Sequence, residues 1–286
     1  MAADKGLILE LPAGRVLALP NLPRELPIIM GIVNVNHDSF YEKSRAVNPK
    51  EAIQRALKMI HDGASIIDFG AESTRPGSTE IEARDEIARL LPVLQGFRAV
   101  CDAVVSVDTR HPEVAEAALG AGADIINDIE GLARPGMAEI ISRARASAVI
   151  MHMRGSPATM QDNPEYVDCV AEVFAALRAS AARALAAGIA PRSIVLDPGI
   201  GFGKRADHNI ALLKGIDQLV ALGYPVLIGV SRKRLIGDIT GKDISNRLAG
   251  SIGAALAAWR NGASILRVHD VDETLDALKA FSEALR

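Results

Sequence analysis

Asp62-Gly63-Ala64-Ser65-Ile66-Ile67-Asp68-Phe69-Gly70 carries three signals in one short stretch. Gly63 can close a helix in the left-handed conformation that glycine adopts at least cost. The apolar run that follows fits a strand buried on both faces, which is how a parallel sheet reads in sequence. Asp68 then puts a polar group at the far end of the run. The phrase returns as GAGADIINDI at 120–129 and as NGASILRVHD at 261–270, and Gly188 plays the same part before SIVLDP.

Eight such runs punctuate the chain: IIMGIV, ASIIDF, AVVSV, DIIND, AVIMHM, SIVLD, PVLIGV and SILRV. At or just beyond their ends stand Asn34, Asp68, Asp108, Asn127, His152, Asp197, the Ser231-Arg232-Lys233 run, and Arg267 with His269. Helical patterns fall between them, at about 49–62, 80–95, 111–121, 136–145, 163–188, 208–222, 244–261 and 271–285. Strands alternating with helices imply right-handed βαβ units and a parallel sheet. Eight units favour a single-domain (β/α)₈ TIM barrel over an open sheet, and its active site is expected at the C-terminal ends of the strands. The barrel is expected over 28–286. The Pro-rich segment 1–27 reads as a lead-in, a small hairpin closing the barrel bottom.

The 286 residues are 49% hydrophobic but only 3% aromatic, so Ala, Val, Ile and Leu must build the core. A net charge of -3 gives no general attraction for nucleic acid or anionic membrane. Cys101 and Cys169 are not a disulfide framework. The first residues lack the basic and apolar regions of a signal peptide, and no run is long enough to span a bilayer. A cytoplasmic location is expected.

Two nucleotide-loop readings fail. DPGIGFGK, 197–204, has neither G-x-G-x-x-G spacing nor a Ser or Thr after its Gly-Lys. It reads as a loop that lets a ligand approach the backbone. In ESTRPG, 72–77, Arg75 offers a two-pronged anion contact. Lys233, Arg267 and His269 at neighbouring strand ends form an expected cationic cluster for an anion. Asp108, Asn127 and Asp197 face them and suit the amino and ring N–H donors of a planar heterocycle, while Asp108 and Thr109 also stand where they could cap the next helix. The methionines of MHMRG could pack on a flat ring. His37 and His152 lack zinc-site spacing. Magnesium needs few protein oxygens beside substrate phosphates, and Asn34 could supply one.

Taken together, MGIVNV (30–35) with DSF (38–40), DFGAESTRPG (68–77), SVDT (106–109), INDI (126–129), MHMRG (151–155), DPGIGFGK (197–204), SRK (231–233) and RVHDV (267–271) resemble the dihydropteroate synthases. The resemblance implies a (β/α)₈ barrel, a homodimer, and condensation of 6-hydroxymethyl-7,8-dihydropterin diphosphate with para-aminobenzoate. By similarity, Asp108, Asn127, Asp197 and Lys233 hold the pterin, with Met153 and Gly229 lining the substrate site. Asn34, Thr74, Arg75, Arg267 and His269 serve the diphosphate and its Mg²⁺, Asn34 as metal ligand. Phe202 and Ser231 help form the aminobenzoate site. Asp108, Lys233 and Arg267 are the expected catalytic residues, and sulfonamides the expected inhibitors. Asn36-His37 stands where the family usually has Thr-Pro, Tyr41-Glu42-Lys43-Ser44 where many members have Ser-Asp-Gly-Gly, and Arg234 where Ser is common. Arg234 either reaches the aminobenzoate carboxylate or begins a surface helix. A methyltetrahydrofolate-dependent methyltransferase would share the pterin contacts but has no use for the diphosphate cations. A non-catalytic pterin-binding paralogue would lack turnover.

Overall fold

The computed structural model describes residues 8–22, 25–35, 48–73, 77–78 and 80–285. Two short strands open it, β1 (Ile8–Glu10) and β2 (Val16–Ala18), paired antiparallel. Eight strands then alternate with helices: β3 (Ile28–Asn34), α1 (Pro49–His61), β4 (Ile66–Gly70), α2 (Ala83–Arg98), β5 (Val104–Asp108), α3 (Pro112–Gly120), β6 (Ile125–Asp128), α4 (Met137–Ala144), β7 (Ser147–Met151), α5 (Cys169–Ala186), β8 (Ile194–Asp197), α6 (Ala206–Lys214), α7 (Ile216–Val220), β9 (Leu227–Ile228), α8 (Arg234–Thr240), α9 (Leu248–Arg260), β10 (Ile265–Val268) and α10 (Val271–Ala284). The strands pair in parallel in the order β8-β7-β6-β5-β4-β3-β10-β9. A bridge between Leu196 and Val226, with Leu196 N donating to Pro225 O at 2.9 Å, joins the two ends into a barrel.

Side chains alternate in and out along each strand. Met30, Ile66, Val104, Ile125, Val149, Val195, Leu227 and Ile265, one from every barrel strand, form a single apolar layer inside. Leu9, Leu11 and Leu19 from the hairpin segment close this layer from the N-terminal side, so the lead-in plugs the bottom of the barrel. The intervening residues, among them Ile67, Phe69, Val105, Val107, Ile126, Ile150, Leu196 and Leu266, pack outward against the helices. Two residues beyond each member of the apolar layer stand Ile32, Asp68, Ser106, Asn127, Met151, Asp197, Gly229 and Arg267. The interior thus turns from wholly apolar to largely polar within one step along the strands, with Asp68, Asp197 and Arg267 its charged members.

The helix boundaries differ from the sequence pattern where local chemistry intervenes. The helix expected from 163 begins at Cys169, because the Asp168 carboxylate accepts from Ala171 N and caps it there. The helix expected over 208–222 breaks at Gly215 into α6 and α7. The one expected from 244 starts at Leu248 after a 3₁₀ turn, Ile244–Asn246. Gly63, Gly122, Gly188 and Gly262 all have positive φ, between 92° and 105°, at the helix ends where the repeated phrase puts them. Among the described residues no helix is long and apolar enough to cross a membrane.

Candidate active site

Parallel register sets the centre of the site. Asp108 pairs with Asn127 across β5 and β6, and Asp68 with Ser106 across β4 and β5. Arg267 enters from β10 and donates through Nε to Asp68 Oδ2 at 2.6 Å and through a terminal nitrogen to Asp108 Oδ2 at 2.8 Å. The Asn127 amide donates to the same Asp68 oxygen at 3.1 Å. Asp68 is 0% exposed, and its Oδ1 and the Ser106 hydroxyl are buried with no partner among the described residues. Burial pushes Asp108 up to about 7, reinforced by Asp68 and opposed by the Arg267 guanidinium. The same carboxylates raise Arg267, against the desolvation that opposes its charge.

On the opposite arc, Asp197 ends β8 and accepts from Gly199 N at 2.7 Å. Burial raises its pKa, while Lys233, the Gly199 N–H and Arg267 pull it back. Lys233 donates to Ile200 O at 2.6 Å and lies 4.7 Å from the centre of the Phe202 ring. Burial brings Lys233 down to about 8, with Asp197 opposing. Gly229 leaves room here, since a Cβ on it would stand 3.7 Å from both Lys233 Nζ and Arg267 Cβ. Ser231 Oγ accepts from His269 N at 3.2 Å and contacts its Nδ1 at 3.1 Å. Met153 is half-buried past the end of β7, and Asn34 is exposed at the end of β3. Thr74 and Arg75 lie outside the described residues, as do Asn36, His37 and Tyr41–Ser44.

Two expectations are corrected. The cluster of three cations does not stand as such: burial and the nearby Arg267 charge push His269 down to about 4, leaving it neutral at pH 7. Arg267 is held between two carboxylates rather than free. Nor do Asp108 and Thr109 cap α3. Its cap residue is His111, the Thr109 hydroxyl accepts from His111 N at 3.1 Å, and Asp108 turns to Arg267. Arg234 resolves the other way from the site: its side chain is 80% exposed and faces Asp238 at 3.6 Å on α8. Asp68 was visible as a strand end but without a role. Its in-step position with Asn127 and Arg267 was the signal for one.

Behind this centre the β4–α2, β5–α3 and β6–α4 loops are cross-braced by buried ions. Arg110 donates to Glu72 at 3.0 and 2.8 Å and to Glu130 at 2.9 Å. Glu72, Glu86 and His111 bring ligand atoms within 4.8 Å of one another. A metal is disfavoured there by the tautomer. Arg134, a donor only, sits 3.1 Å from His111 Nδ1, so a neutral imidazole carries its proton on Nε2, the nitrogen facing the carboxylates.

The sequence matches the family model for pterin binding enzymes over residues 30–269. The chain belongs to the pterin-binding enzyme family. Within that family it is similar to the dihydropteroate synthases, which are transferases. The one from Neisseria meningitidis serogroup C is 47% identical over 264 residues, covering 91% of this chain and 93% of that one. The structure superposes on Xanthomonas albilineans dihydropteroate synthase with 4-aminobenzoic acid at a TM-score of 0.89 and 41% identity, covering 98% of each chain. Yersinia pestis dihydropteroate synthase, in complex with a sulfonamide drug, gives a TM-score of 0.89 at 38% identity, covering 98% of this chain and 99% of that one.

Proposed function

We propose that this pterin-binding enzyme condenses 6-hydroxymethyl-7,8-dihydropterin diphosphate with 4-aminobenzoate, giving 7,8-dihydropteroate and diphosphate. The observation that carries the reading is the polar tier directly above the apolar barrel layer, where Asp68, Asp108, Asn127 and Asp197 share one chamber with Arg267 and Lys233. Carboxylates and an amide there meet the amino and ring N–H groups of a pterin by the fork geometry they use with guanidinium. The C–O bond to the diphosphate breaks with its electron pair leaving on oxygen. Arg267 and Lys233 oppose the charge that develops on the leaving group. The methylene left behind is a cation conjugated to the pterin, and the buried carboxylates stabilise it. The aromatic amine then forms the new C–N bond and releases its proton to solvent. A weak nucleophile attacking so electrophilic a carbon needs no strong general base.

Mg²⁺ fits the donor set. Asn34 offers an exposed amide oxygen at the mouth, and this hard cation is held mostly by substrate phosphates and water. When bound it neutralises diphosphate charge. Sulfonamides, as aminobenzoate mimics, are proposed inhibitors. Ile239 and Ile244 expose apolar surface near α8, which a second copy would cover in a cytoplasmic homodimer. The deciding experiment supplies pterin diphosphate, 4-aminobenzoate and Mg²⁺ and measures dihydropteroate and diphosphate. Pterin binding without turnover would reject the reading.

A further inference from the structure

Lys204 is 3% exposed and ends the DPGIGFGK loop, and its hydrogen bonds go to the two loops beside it rather than to the carboxylates of the polar tier. Its ammonium nitrogen has four acceptors around it: Phe202 O at 2.9 Å, Gly199 O at 3.0 Å, His152 Nδ1 at 3.0 Å and His152 O at 3.2 Å. An ammonium has three donors and no lone pair, so it can share them among such acceptors, whereas a neutral amine has only two. His152 is able to accept, because burial and the Lys204 charge push it down to about 3. Desolvation draws Lys204 itself down to about 7. The surrounding carbonyls favour its charged form.

The lysine therefore ties two barrel loops together. His152 follows β7, while Gly199 and Phe202 belong to the β8–α6 loop. The approach is so close that a Cβ on Gly199 would fall 1.9 Å from His152 O, and Gly199 has a φ of 69°. Other anchors pin the remaining loop groups. Gly201 N donates to Asn209 Oδ1 at 2.7 Å, Gln161 donates to Gly201 O at 2.8 Å, and the Tyr166 hydroxyl donates to Gly203 O at 2.9 Å. Between these anchors the loop presents Ile200 O to Lys233 at 2.6 Å and the Phe202 ring 4.7 Å from the same ammonium.

We infer that Lys204 is a positioning residue: its buried ammonium holds the loop that sets the Phe202 ring and the Ile200 carbonyl on Lys233, and so shapes the aromatic-amine side of the site. This rests on the proposed reaction for the identity of the second substrate. Asp68, Asp108, Asn127 and Arg267 are linked to one another without this loop, and Asp197 is held by β8 at the loop's start. Although Asp197 and Lys233 touch the loop, pterin binding should therefore feel the loss less than aminobenzoate binding.

The test is Lys204→Met, which keeps chain length and removes charge and donors. The KM for 4-aminobenzoate should rise about tenfold, as expected for misplacing a reacting partner. The Kd of 6-hydroxymethyl-7,8-dihydropterin by calorimetry should change less than about threefold. Tyr166→Phe removes a single loop anchor and should raise the same KM by about twofold to threefold. If Lys204→Met does not fold, Tyr166→Phe and Gln161→Ala carry the test, and an unchanged KM in both overturns the inference. So does a folded Lys204→Met that weakens pterin and aminobenzoate equally, or neither. Wild-type protein without turnover would instead reject the reaction while leaving the loop geometry to be tested by aminobenzoate binding to the pterin complex.

Discussion

Glu86→Gln should stabilise this protein, and increasingly so as pH rises. Glu86 lies on α2, is 0% exposed, and neither carboxyl oxygen has a well-formed hydrogen bond among the described residues. Desolvation raises it to about 8, the Glu72 carboxylate adds to the shift, Asp108 adds less, and Thr109 and Arg110 offset only part. The folded state therefore keeps a proton that the unfolded chain releases near 4.5. A group with a raised folded pKa of this acidic kind loses stability as pH rises between the two values, at about 1.4 kcal/mol per pH unit, and is neutral in its effect below the lower one. At pH 7 the penalty comes to about 3 kcal/mol, an upper figure because local rearrangement or water entry relieves part of it. The glutamine amide has no such proton, and its own burial cost of about 1–3 kcal/mol is independent of pH. The measurement is urea unfolding of both proteins at about pH 5, 6.5 and 8. The stability difference should move in favour of the variant by roughly 1 kcal/mol per unit across that range. A constant difference, or one that moves toward the wild type as pH rises, would refute the protonated, desolvated Glu86.

The barrel was legible because its signals are local. A glycine after each helix, a continuous apolar run and a polar residue at the strand end repeat along the chain, and each is set by backbone sterics or burial. The tier of site residues was legible in part for the same reason: Asp68, Asn127, Asp197, Gly229 and Arg267 each stand two residues past a member of the apolar layer. Pairing was not. That Arg267 is held by Asp68 and Asp108 depends on β10 lying next to β3 and two strands from β4, a relation that no single run contains. The neutrality of His269 was hidden likewise, since burial and an adjacent guanidinium, not its strand-end position, set its charge. Lys204 looked like the tail of a failed phosphate-loop motif. Only the fold brings His152 from another loop to its ammonium.

Asp197→Asn should weaken pterin binding by about 1–3 kcal/mol, the scale for an imperfectly paired buried polar group, and calorimetry showing unchanged affinity in a folded variant would remove Asp197 from the pterin site. Arg267→Ala should cost more for the diphosphate-bearing substrate than for free pterin. It should also lower folding stability by about 3 kcal/mol or more, because Asp68 and Asp108 lose the charge that compensates them. Arg267→Ala with unaltered thermal stability would refute that compensation. Arg234→Ser should leave the ratio of sulfonamide inhibition to aminobenzoate affinity unchanged. The Arg234 side chain is four-fifths exposed and turned toward Asp238, and an exposed pair of this kind is worth about 0–1 kcal/mol. Its guanidinium therefore spends its charge in solvent along α8, not on a carboxylate in the barrel mouth. Measuring both constants in the two proteins decides the point: a shifted ratio would mean that Arg234 swings inward when the second substrate binds.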